Sequence, residues 1–259
     1  MPRKPANPPR PLRLHLVSDL DGTWIPGPGR RPGLRRLEAF LDRQPGIVVT
    51  FATGRSLPSA IEALAELDAR PPDHLVTDVG TGLYHRDGKG GWLEDLDYAA
   101  WVEARWPADL GERLARRGLP EGVRLQPGAA PRRRLALEVV PGWELRQAAG
   151  RLREILDGLG VRADVLPSGS RYLDVLPAGV DKGVAVRHLG LPLPVVACGD
   201  SENDRGIWQV ADLPVVMADS ALAPGEPGIP WNRVVRPDIP GPEGILEVLR
   251  DLSMAGGLP

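Results

Sequence analysis

LRLHLVSDLDGTWIPGPG, residues 12–29, decides how the rest of the chain is read. Its first part, to about Asp19, is short, apolar and rich in β-formers, and reads as a buried strand. Its second part is a turn of glycine and proline. Asp19 and Asp21 stand between the two. Acids at the end of a buried strand are costly unless something offsets their charge. A cation, or a group that reacts with them, is therefore expected nearby.

The pattern continues outward. GLRRLEAFLDRQ, residues 33–44, spaces Leu34, Leu37 and Leu41 as a helix does. GIVVTFATGR, residues 46–55, predicts a second strand running into a glycine turn. SLPSAIEALAELDA, residues 56–69, has a serine cap position, an early proline and an apolar stripe, which predict a helix. HLVTDVGTGLYH follows as a third strand and turn. Such alternation implies an α/β fold, with a parallel, Rossmann-like sheet and right-handed crossovers. The alternation stops at about residue 86 and resumes after about residue 174. The expectation is a core of residues 12–85 and 175–259, interrupted by an inserted α+β cap over 86–174. Residues 1–11, MPRKPANPPRP, read as a disordered lead-in. LPVVACGDSEND, LPVVMAD and NRVVRPD predict three further strand ends, and PEGILEVLRDLS a closing helix.

Composition excludes several classes. The chain has 259 residues, with 32 Lys plus Arg against 34 Asp plus Glu, so neither nucleic acid nor an acidic membrane is an expected partner. No apolar run approaches the roughly 18–20 residues of a membrane span. The single cysteine, Cys198, excludes an internal disulfide framework, reads as a small buried apolar filler and fits a cytoplasmic, reducing compartment. The four histidines share no metal-ligand spacing. A monomer or weak dimer is expected.

Ligands of open α/β sheets bind beyond the carboxyl ends of the strands. Those ends carry Asp19 and Asp21, then Thr53 and Gly54, then Asp200, Asn203 and Asp204, with Lys182 opening a helix after the insert. Acids with a lysine, and a hard cation between the acids, suit a phosphoryl group. Asp19 is the candidate nucleophile, forming an aspartyl-phosphate. Mg²⁺ on Asp19, Asp200 and the backbone carbonyl of Asp21 removes the repulsion between two anions, with Asp204 reaching it through water. Asp21 is the candidate acid and base. Thr53, Gly54, Lys182 and Asn203 are the candidate phosphate ligands.

DLDGT (19–23), TGR (53–55), DKG (181–183) and GDSEND (199–204) together resemble the four motifs of the haloacid dehalogenase superfamily. The spacing is similar to that of members whose cap lies between the second and third motifs. SDLDGTW, FATGRSLPSA, VGTGLYH, LPSGSRYLDVLPAGVDKG and CGDSENDRGIW resemble sucrose-phosphate phosphatases. The resemblance implies an Mg²⁺-dependent phosphatase acting on a sugar phosphate, sucrose 6-phosphate first. It assigns Asp19 and Asp21 to catalysis, Thr53, Lys182 and Asn203 to phosphate, and Asp19, Asp21 and Asp200 to the metal. Glucosyl- or mannosyl-3-phosphoglycerate and small sugar monophosphates are the runner-up substrates, and a sucrose-phosphate synthase is a possible partner. A phosphomutase, or a non-catalytic sugar-phosphate-binding module, is a further alternative. The chain departs from the family at Gly82, where members often carry Glu, and at Glu202, where the sucrose enzymes tend to have Gly.

Three expectations concern the insert. Arg132, Arg133 and Arg134 read as a solvated basic face. Trp92, Trp101 and Trp106 read as packing groups. Residues 84–88 and 173–179 read as hinge loops on which the cap closes.

Overall fold

The computed structural model describes residues 11–25, 27, 31–129, 131–169 and 171–258. All of the expected lead-in except Pro11 lies outside them. Strand β1 (Leu14–Ser18) is buried along its whole length, as a central strand covered on both faces must be. It lies between β2 (Ile47–Ala52) and β10 (Val195–Gly199), parallel to both. β3 (His74–Thr77) and β11 (Leu213–Val216) extend the parallel sheet on either side.

Helices sandwich this sheet. α1 (Arg31–Leu41), α2 (Leu57–Glu66) and α8 (Pro242–Ala255) join one apolar cluster with Leu14 and Leu16. α3 (Leu96–Glu103), α6 (Lys182–His188) and α7 (Arg205–Val210) join a second with Val17. Ser56 takes the cap position of α2, but its hydroxyl caps nothing; the helix start rests on the early proline. Among the described residues no helix is long and apolar enough to cross a membrane.

A smaller antiparallel sheet has the order β6 (Val123–Leu125), β7 (Leu135–Val139), β9 (Tyr172–Pro177), β8 (Ala163–Ser168). α4 (Leu110–Arg117) and α5 (Leu145–Gly158) close a third apolar cluster against it.

The structure corrects several expectations. β4 (Gly82–Arg86) pairs antiparallel with β3, and β5 (Trp92–Glu94) antiparallel with β4, extending the large sheet where the sequence reading had a turn and the start of the insert. The expected boundary at residue 86 therefore cuts the large sheet. α3 also packs on that sheet, held by Asp95, which caps its first turn, and by the Tyr98 hydroxyl, which donates to Gly80 O at 2.7 Å. At the other end β9 carries the small sheet to Pro177, past the expected boundary at 174. Both expected hinge loops fall largely in strands, β4 and β9. NRVVRPD forms no strand, only a single bridge from Val235 to Val215. The three tryptophans each pack against a different apolar cluster.

One buried group beneath the site makes the fold sensitive to acid. His15 on β1 shares a 2.7 Å hydrogen bond with Thr50 on β2. Burial, helped by nearby His74, lowers its pKa to about 4. The unfolded chain takes up that proton below about pH 6.5, and the folded chain does not. Stability is therefore whole above pH 6.5 and is lost as pH falls towards 4, by up to about 3 kcal/mol from this residue. Urea unfolding of wild type and His15→Gln at about pH 7 and pH 4.5 checks this. The expected result is a smaller loss of stability in the variant.

Candidate active site

The parallel strands deliver four short segments to one end of the large sheet. β1 ends at Ser18 and hands on Asp19, whose N–H donates to Cys198 O on β10 at 2.9 Å. Gly22 completes the turn at φ +79°, and a Cβ there would lie 2.5 Å from Asp200 Oδ2. Only glycine lets the first acidic segment approach the last so closely.

β10 ends at Gly199 and runs into a one-turn 3₁₀ helix, Glu202–Asp204. Asp204 Oδ2 accepts from the N–H groups of Asp200 (3.0 Å) and Ser201 (3.1 Å), which folds the segment on itself. Lys182 is the first residue of α6, behind Asp181, whose side chain accepts from Val184 N. Its ammonium is fully buried and donates to Asp19 Oδ1 (2.7 Å), Asp204 Oδ1 (2.7 Å) and Asn203 Oδ1 (2.9 Å). All three N–H bonds are used.

Charge is unbalanced here: three acids face one lysine. Burial would strip the Lys182 proton, but Asp19 and Asp204 outweigh it and hold the ammonium above the ordinary lysine range. Burial, with repulsion from Asp204 and Asp200, pushes the Asp19 carboxyl well above its usual range against the pull of Lys182. Burial and Asp204 raise Asp200 to about 7. Asp19, Asp200 and Asp204 each offer an oxygen, all within 4.8 Å of one another. Hard oxygen donors carrying surplus negative charge fit Mg²⁺.

Not every candidate lies where the sequence reading put it. Asp204 is fully buried and directly paired with Lys182, inside the acidic triad and not at its periphery. Asp21 is outside the triad. Its carboxylate is half-exposed and takes two 2.7 Å hydrogen bonds from Arg55. Asn203 Nδ2 donates to Ser168 Oγ on β8 at 2.8 Å, tying the fourth motif to the small sheet. Thr53 and Gly54 follow β2, whose Phe51 is in register with Ser18 of β1. The Thr53 hydroxyl is buried and accepts from Arg55 N at 3.1 Å.

The arginines of the insert are the largest correction. Arg132 is exposed, but Arg133 and Arg134 are buried. Arg133 bonds Glu103 and Glu94, both at 2.8 Å. Arg134 bonds Asp174, Asp78 and the Gly54 carbonyl. Arginine forks bind two acids well, and pairing is what makes their burial tolerable. No local sequence signal marked them, since their acid partners lie 30–56 residues away along the chain.

The family model described as sucrose-6F-phosphate phosphohydrolase matches residues 12–251. The chain belongs to that family. It is a family of haloacid dehalogenase-type phosphatases, and the solved relatives share the fold seen here. Sucrose-phosphatase from Synechocystis, solved with sucrose and phosphate, superposes with a TM-score of 0.79 at 26% identity, over 92% of this chain and 97% of that one. Mannosylfructose-phosphate phosphatase from Agrobacterium fabrum is 30% identical over 229 residues, 82% of this chain and 85% of that protein. Glucosylglycerol-phosphate synthase from Pseudomonas anguilliseptica is 32% identical over 93% of this chain. This chain spans 31% of that synthase, and about half the length of the plant sucrose-phosphatases it matches.

Proposed function

We propose that this sucrose-6F-phosphate phosphohydrolase family member hydrolyses the phosphomonoester of a sugar phosphate, with sucrose 6-phosphate as first substrate. The observation that carries the reading is the Lys182 ammonium buried between Asp19 and Asp204 at the strand ends, beside a third acid. A lysine so placed holds a nucleophilic carboxylate in position and presents positive charge to an incoming anion.

Asp19 attacks phosphorus while the bond from phosphorus to the sugar oxygen breaks. Asp21 gives the leaving oxygen its proton, which requires the pair with Arg55 to open. Water then attacks the aspartyl-phosphate, Asp21 takes its proton, and Asp19 is regenerated with release of phosphate. Lys182 exchanges one of its hydrogen bonds for a phosphoryl oxygen, and Thr53, Gly54 and Asn203 hold the others. Asp19, Asp200 and Asp204 would hold Mg²⁺, which would supply the positive charge that lets one anion approach another.

The small sheet is the cap over this site, and its contact from Ser168 to Asn203 supports the cap's taking part in substrate binding. Mannosylfructose phosphate is the second reading, favoured by the match along 85% of the Agrobacterium phosphatase. A synthase that makes a phosphorylated glycoside is the natural source of such substrates, and the match to part of a curated synthase supports that pairing. The buried, unpaired Cys198 supports a reducing, cytoplasmic setting.

Phosphate release from sucrose 6-phosphate, mannosylfructose phosphate, the glycosyl phosphoglycerates and hexose phosphates tests the proposal. Turnover of one of the disaccharide phosphates with Mg²⁺, abolished by EDTA, is expected. Turnover that is unchanged in EDTA contradicts it.

A further inference from the structure

The turn Thr53–Arg55 has its three peptide carbonyls tied down. Thr53 O accepts from Val79 N at 3.1 Å and Arg55 O from Asp78 N at 2.9 Å. Those two donors sit in a corner after β3 where Asp78 and Val79 adopt φ values of 50° and 58°. The left-handed region is unfavourable for both, and for a β-branched residue it is an outlier held only by its surroundings. The third carbonyl, that of Gly54, is held from the cap, by Arg134 Nη2 at 3.1 Å.

That contact reaches further through one rigid unit. Gly54 C=O and Arg55 N–H belong to the same planar trans peptide and point in opposite directions. Fixing the carbonyl on Arg134 therefore fixes the N–H, and that N–H donates to Thr53 Oγ1 at 3.1 Å. With its oxygen engaged this way, the Thr53 hydroxyl keeps its proton for an anion. Arg134 is itself held: Nη1 on Asp174 of β9, Nε on Asp78 at 3.2 Å. Its side chain is only 7% exposed.

We propose that Arg134 is a positioning residue for the phosphoryl-binding turn, setting the Gly54–Arg55 peptide from the cap so that anion binding depends on the cap being seated. This rests on the phosphatase reading above. Arg133 supplies the control. It also ties cap to core, through Glu94 and Glu103, but none of its hydrogen bonds reaches the turn.

The test uses the full chain with Mg²⁺ and inorganic phosphate as probe, with binding measured by calorimetry and thermal midpoints recorded alongside. Arg134→Gln and Arg134→Lys are expected to weaken phosphate about tenfold or more, as loss of a charged hydrogen bond does. Arg133→Gln is expected to stay within about twofold of wild type even where its midpoint falls. Arg134→Lys keeps the charge but loses the fork, so it decides the matter if the glutamine variant does not fold. Folded Arg134→Lys binding phosphate as wild type does overturns the inference alone. So does an equal weakening in Arg133→Gln. Wild-type protein that binds no phosphate overturns the phosphatase reading together with it.

Discussion

Asp19→Asn is expected to lower phosphate release by roughly four to six orders of magnitude, the scale on which enzymes lose their nucleophile. An amide is isosteric with the carboxylate but does not form the acyl-phosphate bond. The same substitution is expected not to destabilise the metal-free protein. Burial, Asp204 and Asp200 together raise the Asp19 carboxyl against the pull of Lys182, so the fold tolerates its charge less well than the unfolded chain does. An asparagine removes one of three crowded negative charges and leaves Lys182 its partners Asp204 and Asn203. Thermal unfolding in EDTA should thus place the variant at or above wild type. Added Mg²⁺ should raise the wild-type midpoint more than that of the variant. A variant that is inactive because it is unfolded contradicts this account.

Lys182→Met carries the largest expected cost in stability. Methionine fills a similar volume, so packing is nearly conserved. What goes is the ammonium that Asp19 and Asp204 share, beside Asp200. Removing one partner from a buried ionic cluster costs about 3–5 kcal/mol, because the others remain buried without compensation. For a chain of this size that is a fall of roughly 10 °C in the midpoint. Mg²⁺ should recover part of that stability, since a cation replaces the missing charge, while activity stays low. Equal stability of the variant and wild type in EDTA would show that the acids do not depend on the lysine.

The end of the sheet where the candidate residues gather was legible from the sequence for a physical reason. Ligands of open α/β sheets bind beyond strand ends, and strand ends are marked by a sharp change from apolar run to glycine turn. Asp19, Thr53, Lys182 and Asp200 each stand at such a change or at a helix start. Arg133 and Arg134 were not legible, because a run of arginines looks solvated until its acids are known. Those acids lie 30–56 residues away along the chain. The engagement of Asp21 by Arg55 was hidden too, since a motif names residue types but not which way a side chain turns. β4 and β5 escaped notice because three to five residues of edge strand carry little alternation. Their place in the large sheet, with α3 packed beside them, leaves the small sheet with α4 and α5 as the separate unit.

The central claim is that Asp19 itself takes the phosphoryl group from the substrate. Enzyme mixed with Mg²⁺ and sucrose 6-phosphate labelled in its phosphoryl group, quenched in acid within a turnover and mapped by peptide, tests it most directly. The account predicts label on the peptide that carries Asp19, released by hydroxylamine and missing from Asp19→Asn. Substrate consumed with no label on the protein, or with label on any other residue, would contradict it.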